Sequence, residues 1–180
     1  MNTALILIDI QNDYFPGGNM ELVGIENAAS NARQLLNKFR NKKSPIFHIQ
    51  HVSIRPNATF FIPDTKGVDI NDYVKPNSDE AIITKHYPNS FRDTDLHEKL
   101  KQHGIEKLII CGAMSHMCVD STTRAAFDLG YKCIVISDAC ATKDLSIHDI
   151  HIPAQQVHAA YMAGLHGIFS EVVLLSNLEK

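Results

Sequence analysis

Short, nearly unbroken apolar runs alternate with helical patterns along most of this chain. The runs are Ala4–Asp9, Pro45–His51, Ala81–Lys85, Lys107–Cys111, Lys132–Ser137 and Glu171–Leu175. A strand covered on both faces has no polar side to display, so such runs predict buried parallel strands. Between them the spacing predicts helices at about Glu26–Lys42, Thr94–His103, Cys118–Leu129 and Pro153–His166. In the first helix Ala28, Ala32, Leu35, Leu36 and Phe39 recur on one face, as an amphipathic helix requires. Gly104, Gly130 and Gly167 each follow a helical pattern, where a left-handed cap is usual. This alternation predicts an α/β fold: a three-layer, doubly wound, mostly parallel six-stranded sheet with helices on both faces.

Two segments break the rhythm. Asn12–Leu22 is a turn-rich loop directly after the first strand. Ser53–Glu80 holds three prolines and the pair Phe60-Phe61 but shows no helix or strand period. A connection that long in a compact fold is usually functional, a lid or a substrate wall. No repeat, low-complexity tract or linker divides the chain, so residues 1–180 are expected to form one domain.

Charge narrows the partners. The net charge is −3, with no basic stripe or acidic tail, which argues against nucleic acid and anionic membrane. No apolar run approaches the roughly 20 residues of a transmembrane helix. The chain enters Ala4-Leu5-Ile6-Leu7-Ile8 without a basic flank or cleavage site, which reads as a strand rather than a signal peptide. A cytoplasmic location with reduced thiols is therefore expected for the four cysteines. None of Cys111, Cys118, Cys133 and Cys140 forms a CxxC pair, so neither a zinc ribbon nor a thioredoxin-type motif is supported. Cys111 and Cys133 fall inside strand patterns and read as core filling, while Cys140 follows a strand end.

Cys118 differs. It stands where the run Lys107–Cys111 breaks at Gly112, turns, and restarts as a helix. A helix N-terminus carries roughly half a positive charge. That field is expected to favour thiolate and to lower the thiol pKa from its usual value of about 8.5. Backbone N–H groups around Met114 and Cys118 could also hold an oxyanion. In open α/β sheets ligands bind beyond the carboxyl ends of the strands. The first strand ends at Asp9, the third at Lys85, the fourth leads to Cys118, and the fifth ends at Asp138. Asp9 can take a proton from Cys118 and later activate water, and Lys85 can orient Asp9 and favour the thiolate. That is a nucleophile, a base and an orienting group. Asp138 reads as a structural cap.

These pieces resemble the isochorismatase-like cysteine hydrolases, a group that includes nicotinamidases, N-carbamoylsarcosine amidohydrolases and streptothricin hydrolases. The matching stretches are Leu7-Ile8-Asp9-Ile10-Gln11-Asn12-Asp13-Tyr14-Phe15 with Gly17-Gly18, and Ile83-Thr84-Lys85 with Asn89-Ser90-Phe91 and Thr94. Gly112-Ala113-Met114-Ser115-His116-Met117-Cys118-Val119 and Asp138-Ala139-Cys140-Ala141-Thr142 complete the series. The resemblance implies an Asp9–Lys85–Cys118 triad and a cis peptide between Ala113 and Met114. It also implies an oxyanion hole at the Met114 and Cys118 amides. The activity implied is hydrolysis of a small-molecule amide or carbamoyl compound through a thioester, by a chain that is commonly a homo-oligomer.

The departures matter too. Nicotinamidases usually carry Asp-x-His after the second strand, and Phe47-His48-Ile49-Gln50-His51-Val52-Ser53 lacks it. His48 and His51 would point to opposite faces of a strand. His148 and His151 fall in an expected loop with no carboxylate partner suggested by spacing. Neither a metal nor another cofactor is expected. Isochorismatases that cleave a vinyl ether generally lack the cysteine, so Cys118 favours C–N hydrolysis. Two further readings are an ether hydrolase using Asp9 as acid and a non-catalytic thiol sensor or scaffold. By position, Tyr14, Phe15, Phe60, Phe61, Tyr87, His116 and Met117 are the candidates for the substrate pocket.

Overall fold

The computed structural model describes residues 2–178. Its main sheet contains β1 (Thr3–Ile8), β2 (Ile46–His51), β3 (Ala81–Lys85), β4 (Lys107–Ala113), β5 (Lys132–Ala141) and β8 (Glu171–Val173). The order across the sheet is β3-β2-β1-β4-β5-β8. Every neighbouring pair is parallel, so the predicted mostly parallel sheet is wholly so. The central strands explain why: Leu5, Ile6 and Ile8 in β1 and Leu108, Ile110 and Cys111 in β4 are completely buried, which demands cover on both faces.

The helices are α1 (Ile25–Asn41), α2 (Leu96–Gln102), α3 (Asp120–Asp128) and α4 (Ala154–Leu165). In α1 the predicted stripe faces inward: Ala28, Ala32, Leu35 and Leu36 are buried, joined by Ile25 and Ala29. Gly104, Gly130 and Gly167 all take positive φ just past α2, α3 and α4. Asp9 follows β1 and Cys118 follows β4. Chain order reverses between those two neighbouring strands, which is where doubly wound sheets open a crevice. Gly112 keeps the two strands close there. Its φ is +127°, and a Cβ at this position would overlap the Ile8 carbonyl oxygen.

Three local features differ from expectation. β5 does not stop at Ser137 but runs to Ala141, so Asp138 and Cys140 lie within it. The register shifts between Ile110↔Val135 and Gly112↔Cys140, and this bulge interrupts the apolar run that marks the strand. The region holding His148 and His151 is a hairpin, β6 (Leu145–Ile147) paired antiparallel with β7 (Ile150–Ile152). Finally, Cys118 belongs to a π turn, Ser115–Val119, that leads directly into α3. Such turns are rare and concentrate at functional sites.

Candidate active site

Four strand ends meet on one rim. Asp9, directly after β1, takes a left-handed conformation at φ +51°. Aspartate tolerates this better than most residues, and such backbone is enriched at functional sites. His51 and Lys85 are paired at the ends of β2 and β3, and the π turn after β4 brings Cys118 opposite them. Asp9, Lys85 and Cys118 are only 0%, 1% and 4% exposed.

Lys85 Nζ is the hub. It donates to Asp9 Oδ2 at 2.7 Å, to His51 Nδ1 at 2.9 Å and to Cys118 Sγ at 3.3 Å. An ammonium has three protons and no lone pair, so all its donors are spoken for and His51 Nδ1 must be the acceptor. The His51 proton then sits on Nε2. Burial, Lys85 and then Arg55 push the His51 imidazole down to about 3, so the ring is neutral. A carboxylate oxygen of Asp9, the Cys118 sulfur and a His51 ring nitrogen lie within 4.8 Å of one another. Those are zinc-type donors, but all three are turned on the lysine ammonium, which already supplies the positive charge they require.

Electrostatics correct one expectation. The helix field was expected to lower the Cys118 pKa, yet burial and the neighbouring Asp9 charge push the thiol well up, only partly opposed by Lys85. A sulfur removed from water loses more than the neighbouring ammonium returns. Burial likewise raises the Asp9 pKa against the pull of Lys85, and for Lys85 burial is opposed first by the Asp9 charge, leaving its pKa raised. Burial thus favours the neutral forms of Cys118 and Asp9, Lys85 favours the charged form of each, and the His51 ring is neutral. Asp9 Oδ1 is buried without a hydrogen-bond partner, a free acceptor beside a thiol. The Met117 and Val119 amides both donate to the Met114 carbonyl, at 3.0 and 3.2 Å, which winds the turn that carries Cys118. The Ala113–Met114 peptide is cis.

A cavity of about 240 Å³ opens onto the Cys118 sulfur side of this cluster. Of the pocket candidates, Tyr14, Phe60, Phe61 and Met117 line it. Phe15, Tyr87 and His116 lie outside that lining. Phe15 is buried and stacks on Tyr73, Tyr87 lies under the Arg92 guanidinium at 3.5 Å, and His116 Nδ1 bonds Thr142 Oγ1 at 2.6 Å. A larger cavity of about 610 Å³ lies at the opposite, amino ends of the strands, around Thr3, Pro45 and Lys107. Its lining has neither a cysteine nor a carboxylate, and parallel sheets bind ligands at the other end.

His48 and His51 do point apart. His48 bonds Glu80 at 2.9 Å behind the sheet, while His51 faces the cavity. His151 has a carboxylate neighbour after all, Asp144 at 3.4 Å. Asp138 Oδ1 accepts from the Leu175 amide, tying β5 to the final segment. Sequence reading does not single out His51 as a member of the cluster, nor Arg55 in the cavity wall. His51 was discoverable, because it ends the second strand just as Asp9 and Lys85 end theirs. Gln11 grips its backbone from both sides, donating to the His51 carbonyl at 2.9 Å and accepting from its amide at 2.8 Å.

Known proteins agree with this architecture. A family model of the Isochorismatase domain matches residues 3–164. The chain is 52% identical over 172 residues to YddQ, an uncharacterized isochorismatase family protein of Bacillus subtilis (strain 168), covering 96% of each. It is 31% identical over 145 residues to a streptothricin hydrolase of Streptomyces noursei, covering 79% of this chain and 50% of that one. The crystal structure of a putative isochorismatase hydrolase from Oleispira antarctica superposes with TM-score 0.95 at 48% identity, covering 98% of this chain and 95% of that one. With the fold, the rim and these relatives in agreement, the chain belongs to the isochorismatase family and is a hydrolase.

Proposed function

We propose that this hydrolase cleaves the C–N bond of a small amide or carbamoyl compound through a thioester on Cys118. The observation that carries the proposal is the buried ammonium of Lys85, hydrogen-bonded at once to a carboxylate and to a thiol beside a cavity. Because the resting group is a thiol, a base is needed, and among the described residues Asp9 is the carboxylate of the cluster.

Asp9 takes the proton from Cys118, and the sulfur attacks the carbonyl carbon. Lys85 stabilises the thiolate as it forms. The developing oxyanion is held by the Met114 and Cys118 amides, one at the start of the turn that carries the sulfur and one within it. Protonated Asp9 then gives its proton to the departing nitrogen, the C–N bond breaks, and ammonia or an amine leaves. In the second half Asp9 takes a proton from water as its oxygen adds to the thioester carbonyl. The C–S bond breaks, the acid is released, and the proton returns from Asp9 to sulfur. The streptothricin hydrolase among the relatives supports a hydrolytic reading.

The test is ammonia release from a panel of primary amides and carbamoyl compounds, comparing the native protein with Cys118→Ala. Release by the native protein, reduced roughly a thousandfold or more in the variant, is the expected result. Equal release by both would mean that Asp9 acts alone and the thiol is incidental.

A further inference from the structure

We propose that the amide this site accepts carries a carboxylate, and that the Arg55 guanidinium binds it. The proposal rests on the thioester reading above and names its substrate class. Among the described residues, the cavity lining contains no Asp or Glu, and Arg55 is its one permanent cation. This positive wall belongs to a chain whose net charge is −3.

Arg55 differs from the other four arginines. Arg40 is paired with Glu80, Arg124 with Asp120, Arg92 with Asp93 and the Tyr87 ring, and Arg33 lies over the Tyr73 ring. Among the described residues, the Arg55 side chain has no hydrogen bond, ion pair or ring contact. Its backbone, by contrast, is held. The Ser53 amide donates to the Phe61 carbonyl at 2.8 Å and closes the loop at its base, and the Ala58 amide donates to the Arg55 carbonyl at 3.3 Å. The Phe61 amide is fixed in turn by Asp13 Oδ2 at 2.6 Å. A loop closed at its base therefore presents the exposed Arg55 as an uncommitted, planar, bidentate donor at the cavity rim, the geometry that carboxylates match. The charge reaches the reacting cluster, since Arg55 contributes to holding His51 neutral.

The remaining wall sets the size. Tyr14, Phe60, Phe61 and Met117 give it aromatic and apolar surface, Ser53, Asn57 and Thr59 add polar groups along the loop, and the cavity is small, about 240 Å³. A short hydrocarbon spacer between the scissile carbonyl and the carboxylate fits that space, as in the monoamide of a small dicarboxylic acid.

The experiment pairs charge with chemistry. Glutaramate and its methyl ester serve as substrates, and glutarate serves as a protector of Cys118 against iodoacetamide, in native protein, Arg55→Gln and Arg55→Lys. Native protein should hydrolyse glutaramate with a higher kcat/KM than the ester, and glutarate should slow alkylation. In Arg55→Gln the acid-over-ester preference and the protection should weaken about 10- to 100-fold, the worth of a charge-assisted hydrogen bond. Arg55→Lys should fall between, and alkylation of the unprotected thiol reports a folded site in each variant. Equal hydrolysis of acid and ester, or protection that ignores residue 55, would overturn the carboxylate site while leaving the thioester reading intact. Hydrolysis of glutaramate by Cys118→Ala at the native rate would overturn the thioester reading, and an Arg55-dependent preference surviving there would uphold the carboxylate site.

Discussion

Lys85 shows how one side chain governs a site that it does not itself transform. Its three hydrogen bonds neutralise Asp9, pin His51 and offer positive charge to the Cys118 sulfur. Lys85→Met keeps most of the volume but leaves a buried carboxylate without its partner, so stability should drop by about 3–5 kcal/mol in denaturant unfolding. Alkylation of Cys118 should slow as well, because nothing then favours the thiolate. A variant as stable and as reactive as the native protein would remove Lys85 from the account. The same residue sets a pH dependence. Asp9 must be ionised to accept a proton, and burial raises its pKa above the ordinary 3.8. Activity should therefore fall on acidification at a pH above that value. In residual Lys85→Met turnover the limb should move to still higher pH, since the opposing ammonium is gone. A limb that stays in place would show that another group titrates. Asp9, Lys85 and Cys118 were legible because each stands at the end of an apolar run. His51 obeyed the same rule, but it was weighed only with His48 as a metal ligand and set aside when the two pointed to opposite faces. Arg55 carried no sequence signal, since its place depends on how an irregular loop closes.

At the level of elements, the loop after β1 and the loop after β2 are one structure joined by Asp13. Its carboxylate accepts from the Phe61 amide at 2.6 Å and from the Asn19 amide at 3.2 Å. A Cβ on Gly67 would overlap that same carboxylate, so a third stretch of chain closes over it. Removing a buried acceptor leaves its donors unsatisfied, at about 1–3 kcal/mol each. Asp13→Ala should raise KM more than it lowers kcat, and should speed proteolytic cleavage within residues 53–61. Unaltered KM and cleavage would mean the wall stands without the clamp. The long irregular segment, part of which lines the cavity, was legible as a candidate wall, but its internal order was not, because it comes from long-range bonds such as this one and two short turns, Lys66–Val68 and Asp72–Val74. The β6–β7 hairpin did leave a trace: Leu145 and Ile147 alternate, as do Ile150 and Ile152, around the pair His148-Asp149. With His148 at φ +51°, that is a two-residue hairpin turn. The extension of β5 was hidden by its bulge.

For the whole molecule, the alternation of buried runs and amphipathic stripes sufficed to predict the layers, while strand order follows from pairing that no local pattern encodes. One tie across the back of the sheet has a measurable consequence. Glu80 accepts from Arg40 of α1 at 2.6 Å and bonds His48 of β2 at 2.9 Å. Burial works against its charge, but the bonds from Arg40, the Asn77 amide and His48 prevail and pull its carboxyl from 4.5 to about 2. A carboxyl depressed in the folded state contributes stability that is complete above its ordinary pKa and is lost as pH falls towards the lowered one. Stability should therefore decline between pH 4.5 and about 2, and Glu80→Gln should flatten that decline. An unchanged acid profile in the variant would locate acid sensitivity elsewhere.

The central claim is a covalent one, and peptide mass mapping after acid quench during amide turnover reads it directly. The account predicts an acyl adduct on Cys118, converted to the hydroxamate when hydroxylamine is present and absent from Cys118→Ala. Steady turnover with Cys118 unmodified and no hydroxamate formed would contradict it, because water would then be attacking the substrate without the thiol.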